Sequence, residues 1–416
     1  AEEYLSRMDE IDQLNHFTSF ERFFHYPSVN RNAPTEGISN ELPYETYLEI
    51  SMQYLDLGLK KEALAVLDYS PSHPIVTIWK AFLSENDSLL NKALSMSPAF
   101  VFPFRTETIK ALEWAKDHNP DWKFRYYLAL NYAAVNRKQD AVSLLNTCGD
   151  EPDYSPFYLT RASFLKGTER EKADLLMAYR LSPGDWRSAI RLIAWYRSHD
   201  DHRSALSLAS EVYKKDRSNS IVGLEYAISL INTGQYALSL KTLEGTTILP
   251  NEGSSQGKRV FEQASLYLAM DLIAGKKYKQ ALEMLGKSKD WPENLGVGKP
   301  YNVDTRIQDY LSALCFDKMK RYSEADIAYN SVIRSTGSDA YPSFKNILAL
   351  MILRNKGESR NLEELAGKLE GSSNLVNKWV IASFINSREQ AELLEKKFES
   401  ETDFRIIKRL LEVTDH

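Results

Sequence analysis

The feature that most restricts this chain is a recurring turn. A helix-like apolar end, a polar or glycine turn and a small residue opening a second apolar stretch appear as Leu57-Gly58-Leu59-Lys60-Lys61-Glu62-Ala63. The pattern repeats as Asn136-Arg137-Lys138-Gln139-Asp140-Ala141, and again at Asp200 to Ala205, Gly234 to Ser239, Lys276 to Ala281 and Lys320 to Ala325. With Ala173 counted as a further marker, the small residues fall at 63, 141, 173, 205, 239, 281 and 325, giving steps of 78, 32, 32, 34, 42 and 44 residues. Steps near 34 predict an array of helix–turn–helix units, each burying its apolar face against the next. The first step has room for an additional helix pair, and the last two each hold a repeat plus an insertion.

Other positions follow the same order. Tyr47, Ile50, Ser51 and Tyr54 precede Ala63, and Leu67 follows it; Leu128, Ala129 and Tyr132 precede Ala141, and Leu145 follows. Small residues let two helices approach closely, and large ones fill the space around them. Pro98, Pro183 and Pro250 fall near repeat ends, where proline stops a helix. This pattern resembles the tetratricopeptide repeat. The resemblance implies an all-α fold, a right-handed α-solenoid superhelix of antiparallel helix pairs. Composition agrees: 18 glycines and 15 prolines are few for 416 residues, which favours long helices over many short strands.

The expected organisation has three parts. Residues 1–43 form an N-terminal capping helix and loop, with Leu5, Met8, Ile11, Leu14, Phe17 and Phe20 on one face of a helix from Glu3 to Phe24 and a loop from Pro27 to Pro43. Residues 44–335 form the array, with a degenerate hairpin at Ile75–Leu83 and Ser88–Met96 and insertions near 97–105 and 290–304. Residues 336–416 add helices at Ser343–Arg354, Leu362–Leu369, Leu375–Phe384, Arg388–Phe398 and Asp403–Val413. Repeats contact mainly their neighbours, so one elongated solenoid is expected rather than three globules.

Charge and targeting signals narrow the function classes. With 52 basic and 57 acidic side chains, the net charge of −5 argues against nonspecific nucleic-acid or anionic-membrane binding. The longest apolar runs, such as Ile347 to Leu353, are far short of a membrane span. The two cysteines, Cys148 and Cys315, exclude a disulfide framework and read as small buried hydrophobes. A cytoplasmic location is expected, with the periplasm as the alternative. Ala1 is followed by neither a basic nor an apolar leader stretch, so the chain reads as a mature protein or a piece of a longer one.

Two insertions do not belong to the repeat. Ser97 to Arg105 carries three phenylalanines and two prolines and cannot be a helix interior. It reads as an aromatic plug or as a binding loop built on Phe102, Phe104 and Arg105. Trp291 to Asp304 contains Glu293, Asn294, Lys299 and Asp304, too polar a set for a plug. Its Gly296-Val297-Gly298-Lys299 lacks phosphate-loop spacing. Ser97 to Arg105 and Trp291 to Pro300, with Asn40 to Thr46 and Gly149 to Asp153, resemble a family of large bacterial tetratricopeptide proteins over residues 1–335. In that family a domain of unknown function, similar to the galactose-mutarotase β-sandwich, precedes the array. The resemblance implies that this chain is the C-terminal half of such a protein and connects it with carbohydrate metabolism by fold analogy.

No catalytic motif appears, and no cofactor or metal is expected. His199-Asp200-Asp201-His202 is the densest set of metal-ligating types, but Arg197 and Arg203 flank it and a solvated turn is the plainer reading. No Gly-x-Ser-x-Gly elbow occurs. Arg125, Tyr126, Asn131, Arg161, Arg187, Arg191 and Trp195 lie on predicted first helices and are candidates for a concave groove, where arginines would hold carboxylates. The expected function is a non-catalytic scaffold binding a protein partner or its own upstream domain. The alternative is a carbohydrate-binding accessory module, with a saccharide bound by the two insertions.

Overall fold

The computed structural model describes residues 2–25, 38–251, 255–337 and 341–414. Among them every regular element is helical. In chain order they are α1 (Glu2–Ile11), α2 (His16–His25), α3 (Pro43–Asp56), α4 (Lys60–Asp68), α5 (Pro74–Ser84), α6 (Asp87–Ser95), α7 (Thr108–His118), α8 (Trp122–Ala134), α9 (Lys138–Thr147), α10 (Ser155–Phe164), α11 (Glu169–Leu181) and α12 (Trp186–Ser198). There follow α13 (His202–Lys215), α14 (Ser220–Asn232), α15 (Tyr236–Glu244), α16 (Gln256–Ala274), α17 (Tyr278–Ser288), α18 (Arg306–Lys318), α19 (Tyr322–Thr336), α20 (Asn346–Lys356), α21 (Ser359–Glu370), α22 (Leu375–Phe384), α23 (Arg388–Glu395) and α24 (Thr402–Thr414). Two compact units, residues 1–188 and 189–416, divide the chain within α12.

One turn geometry makes most of the pairs. A residue with positive φ ends the first helix at Gly58, Glu85, Asn136, Asp200, Gly234, Lys276, Lys320, Gly357 and Asn386. The next backbone N–H then donates to a carbonyl five residues back, as in Leu59 to Tyr54 (2.8 Å), Arg137 to Tyr132 (2.7 Å) and Lys277 to Leu272 (2.8 Å). This closure satisfies a carbonyl that the helix end would otherwise leave unpaired. It also sets the phase of the second helix. Five residues after the positive-φ position stands the residue pressed against the first helix: Ala63, Ala141, Ala205, Ser239, Ala281 and Ala325, each at most 1 % exposed. Ser51 and Ser239 mark how close the contact is, since each hydroxyl donates across its pair, to the Ala63 and Ala227 carbonyls.

The pair α10–α11 departs from this rule and corrects the expectation for Ala173. Its turn residue Gly167 has φ +80°, but Thr168 N–H donates only three residues back, to Leu165. The helix therefore enters with a different phase. Ala173 faces solvent and Asp174 takes the interior position.

In the first unit the expected single N-terminal helix is two. Asn15 Oδ1 accepts from the Thr18 backbone N–H and starts α2, and Arg22 bonds back to Glu2 and Asp9 on α1. Phe20 is fully buried against Tyr47 and Tyr69, whereas α1 buries no residue. Of the expected loop at 27–43, residues 27–37 lie outside the described residues. Trp79 Nε1 donates to Thr108 Oγ1 (3.2 Å) and locks α5 to α7. Trp122, Tyr126 and Phe157 continue the aromatic core through α8 and α10.

In the second unit the chain returns on itself. Arg409 of α24 donates to Asp271 of α16 (2.6 Å) and to the hydroxyl of Tyr236 (2.5 Å), with its guanidinium 4.6 Å from the Tyr267 ring. Phe404, Ile406, Ile407 and Leu410 are buried, and Phe404 packs with Phe344, Trp379 and Phe398. The C-terminal helix is thus part of the unit's core.

Lys276 and Lys320 occupy left-handed backbone (φ +57° and +60°), which L side chains adopt at a cost. Lys276→Gly and Lys320→Gly are each expected to raise stability by about 0.5–1 kcal/mol, read as a higher urea midpoint. A lower midpoint would show that something other than backbone geometry holds these turns.

Candidate functional site

In the first unit the candidate groove residues do not share one surface. Tyr126 and Asn131 are buried; Tyr126 lies in the aromatic core, where burial pushes its hydroxyl up to about 12, and Asn131 Nδ2 donates to the Arg105 carbonyl. Arg161 is 1 % exposed and forms a two-pronged pair with Asp174, Nε–Oδ2 at 2.9 Å and Nη2–Oδ1 at 2.8 Å. Its Nη1 donates to the Leu145 carbonyl, and its guanidinium lies 4.9 Å from the Phe157 ring. Arg161 is therefore a strut inside the first unit, the counterpart of the displaced Asp174. Arg125 clasps the end of α9, donating to the Thr147 carbonyl (2.5 Å) and Glu151 (2.6 Å). Arg187 is exposed and lies over Trp186. In the second unit Arg191 is exposed, and Trp195 stacks on His199 at 3.9 Å.

The insertions are likewise taken up by structure. In the first, Val101 is buried while Phe100, Phe102 and Phe104 are 79, 62 and 51 % exposed, so the aromatic rings do not plug the repeats. Arg105 pairs with Glu45 (2.8 Å) and Glu49 (3.4 Å) on α3. In the second, Asn294 Nδ2 donates to the Leu243 and Thr246 carbonyls, and its own carbonyl accepts from Ile248 N–H. Gly296 (φ +67°) allows this approach; a Cβ there would stand 2.5 Å from the Ile248 carbonyl oxygen. Asp304 accepts from Arg306 (2.9 and 2.8 Å) and faces Lys345 at 3.3 Å. Burial opposes its charge, but the Arg306 hydrogen bonds and the two cations outweigh burial and hold the carboxyl well below the usual carboxylate range. Glu293 and Lys299 are exposed and do not join them.

The histidine turn at 199–202 holds no metal-ligand set: among the described residues no cluster of three ligating side chains occurs. His199 Nδ1 lies 2.9 Å from the Trp195 carbonyl, and His202 Nε2 lies 3.8 Å from Asp200. Both thiols are buried; burial pushes Cys148 up to about 11 and Cys315 up to about 12, leaving them protonated and poor nucleophiles.

A polar cavity lies in the second unit, at residues the repeat pattern does not mark. A cavity of about 770 Å³ opens between the end of α12, α14, the first half of α16 and the connection from α23 to α24. Its floor is one face of α16, where Gln256, Arg259, Val260 and Gln263 recur at helical spacing. The opposite wall carries Thr402 and Arg405, one turn before the anchored Arg409. Arg197 at the rim is paired with Glu225. Arg259 and Arg405 are exposed, and neither guanidinium has an ion pair or hydrogen bond to another described residue. Lys258, the neighbour of Arg259, points away; its Nζ donates to the Ser288 carbonyl (2.7 Å).

No protein-family model and no curated protein matches the chain. Solved structures similar to it include a tetratricopeptide repeat protein from Parabacteroides merdae, 12 % identical with a TM-score of 0.30, covering 66 % of this chain and 98 % of that one. The tetratricopeptide domain of P58(IPK) is 13 % identical with a TM-score of 0.30, covering 96 and 98 %. Naa15/Naa10 bound to HypK-THB gives 12 % and 0.37, covering 89 % of this chain and 61 % of that one.

Two outcomes follow from these roles. Arg161→Ala leaves Asp174 buried without its principal partner and is expected to cost about 3–5 kcal/mol, read by urea unfolding; a loss under 1 kcal/mol would show the pair to be dispensable. Asp304→Asn is expected to lower the melting temperature at pH 7. Because the folded carboxyl titrates below its unfolded value, Asp304 contributes stability above about pH 4 and loses it on acidification. The gap between wild type and variant is therefore expected to narrow below pH 4, and a gap independent of pH would rule out the ionised carboxylate as its source.

Proposed function

We propose that this chain is a non-catalytic, tetratricopeptide-like scaffold that binds a segment of a partner protein in the polar cavity of its second unit. The convergence of Arg259 and Arg405 carries this reading. Two arginines from helices nearly 150 residues apart in sequence face one cavity without an internal partner, while the neighbouring cations Arg197, Lys258 and Arg409 are all engaged. Helix pairs with a rigid core present such a surface without reorganising it, which lowers the ordering cost of binding. The upstream sandwich domain that the family resemblance implies is one candidate partner. The saccharide reading has no observation in its favour: Asn294 and Asp304 are spent on holding their own loop, and among the described residues no Phe, Tyr or Trp ring lines the cavity for a sugar to stack on.

Photo-crosslinking tests the reading. Benzoylphenylalanine in place of Gln256, exposed on the α16 face of the cavity, is expected to give a discrete protein adduct in extract of the source organism, and the purified partner is expected to reproduce it. The same residue in place of Glu283, exposed on α17, is expected not to. No adduct at Gln256, or identical adducts at both positions, would remove the cavity as the partner site.

A further inference from the structure

We infer that a cavity formed by α18, α19 and α20 binds a small ligand ending in a primary ammonium group, with the Asp317 carboxylate as acceptor and the rings of Tyr310, Tyr322 and Tyr329 as walls. The site lies in the second unit and shares no residue with the polar cavity, so it goes beyond the scaffold reading and does not depend on it.

The turn between α18 and α19 builds the site. Lys320 takes left-handed backbone, and the Arg321 N–H closes onto the Phe316 carbonyl (2.9 Å). With the phase of α19 fixed, Tyr322, Asp326 and Tyr329 recur at steps of four and three residues along one side of it. Tyr310 and Asp317 stand two turns apart on α18 and face the same space. The cavity measures about 270 Å³, the volume of about nine water molecules at ~30 Å³ each, which suits a small molecule.

Three observations set its chemistry. The first is the charge of Asp317. Its Oδ2 accepts from the Tyr329 hydroxyl (2.9 Å), and it has no ion pair among the described residues. Burial and the adjoining carboxylate push that hydroxyl up, so it remains a donor and brings no charge of its own. A half-buried carboxylate held by one neutral donor keeps its charge without a counter-ion and most of its acceptor positions open. The second is the state of the other charges. Lys356 is engaged by Asp326 and by Asn330 Oδ1 (3.0 Å), and Asp326 also accepts from Asn330 Nδ2 (3.1 Å). The cation lining the cavity is committed to its own carboxylate, which leaves Asp317 as the charge for a ligand to meet. The third is the walls. Tyr310 and Tyr329 meet edge to face with centroids 6.2 Å apart, and Tyr322 is 66 % exposed with no ring partner among the described residues. Tyrosine rings attract a cation and also pack against an alkyl stem, to which Ile352 adds apolar surface. An anion would be repelled by Asp317, and a neutral polyol would leave its charge unmatched.

Saturation-transfer NMR titrations on the whole chain test the site, with butylammonium as probe and 1-butanol as its neutral counterpart. Butylammonium is expected to bind at least about tenfold more tightly than butanol, with affinity falling as salt rises. Asp317→Asn is expected to weaken butylammonium about tenfold and to leave butanol unchanged. Tyr322→Ala is expected to weaken butylammonium severalfold without changing the melting temperature, since the side chain is exposed, and Tyr322→Phe, which keeps the ring, is expected to retain binding. No binding of butylammonium at millimolar concentration, equal binding of butylammonium and butanol, or indifference to both Asp317→Asn and Tyr322→Ala would overturn the inference. Tetramethylammonium has no N–H to donate and is expected to bind more weakly; equal affinity would overturn the hydrogen-bonded ammonium in favour of ring contacts alone. Glucose binding as tightly as butylammonium would overturn it in favour of a polyol site.

Discussion

The hydrogen bond that closes each helix end onto a carbonyl five residues back is the contact on which the pairs depend. It admits one left-handed residue, and so it fixes where the second helix begins and which residue meets the first. Glycine adopts that conformation without strain at 58, 234 and 357; asparagine, aspartate, glutamate and lysine accept it elsewhere. Because the phase is set by backbone bonds, the buried small residue stands at a fixed distance from the turn. Where the bond is missing, after Gly167, the phase shifts, a charged residue comes inside, and a buried arginine is needed to balance it. The Arg161–Asp174 pair is a consequence of a turn.

The second unit adds a constraint of another kind. Stacked pairs meet their neighbours, and in the array expected from the sequence each element would depend on the next alone. The contact of α24 with α15 and α16 joins residues 138 and 173 positions apart. It buries four apolar residues of α24 and brings Thr402 and Arg405 opposite the polar face of α16. The same return that completes the core therefore builds the cavity. Arg409 holds the helix, and the Arg405 guanidinium one turn earlier stays exposed at the cavity.

How much of this could be read from the sequence depends on the range of the interactions. Helices and their turns could be read because their determinants lie within six residues, and the C-terminal helices near Leu375–Phe384 and Arg388–Glu395 fall where their apolar spacing places them. The break of the N-terminal helix at Asp12–Asn15 was readable in principle, since Asn15 is a helix-starting residue type, but the apolar face running from Leu5 to Phe20 concealed it. Side-chain direction was not readable at Arg161. A first-helix arginine expected to face a groove faces the interior, because the carboxylate that draws it in sits on a helix whose phase had shifted. Asn294 and Asp304 carry polar groups of the kind a binding loop uses. They serve instead to pin a long connection, which has many backbone groups to satisfy and few helical bonds to satisfy them.

By itself the sequence determined that the chain is helical, that its helices come in pairs, and where most of those pairs turn. These are local matters of backbone geometry and apolar spacing. The tertiary structure alone decided that the helices gather in two units, that the last helix returns to α16, and that Arg259 and Arg405 face one cavity. The last two outcomes rest on contacts between residues more than a hundred positions apart, and neither member of such a contact carries a mark of its partner in the surrounding sequence.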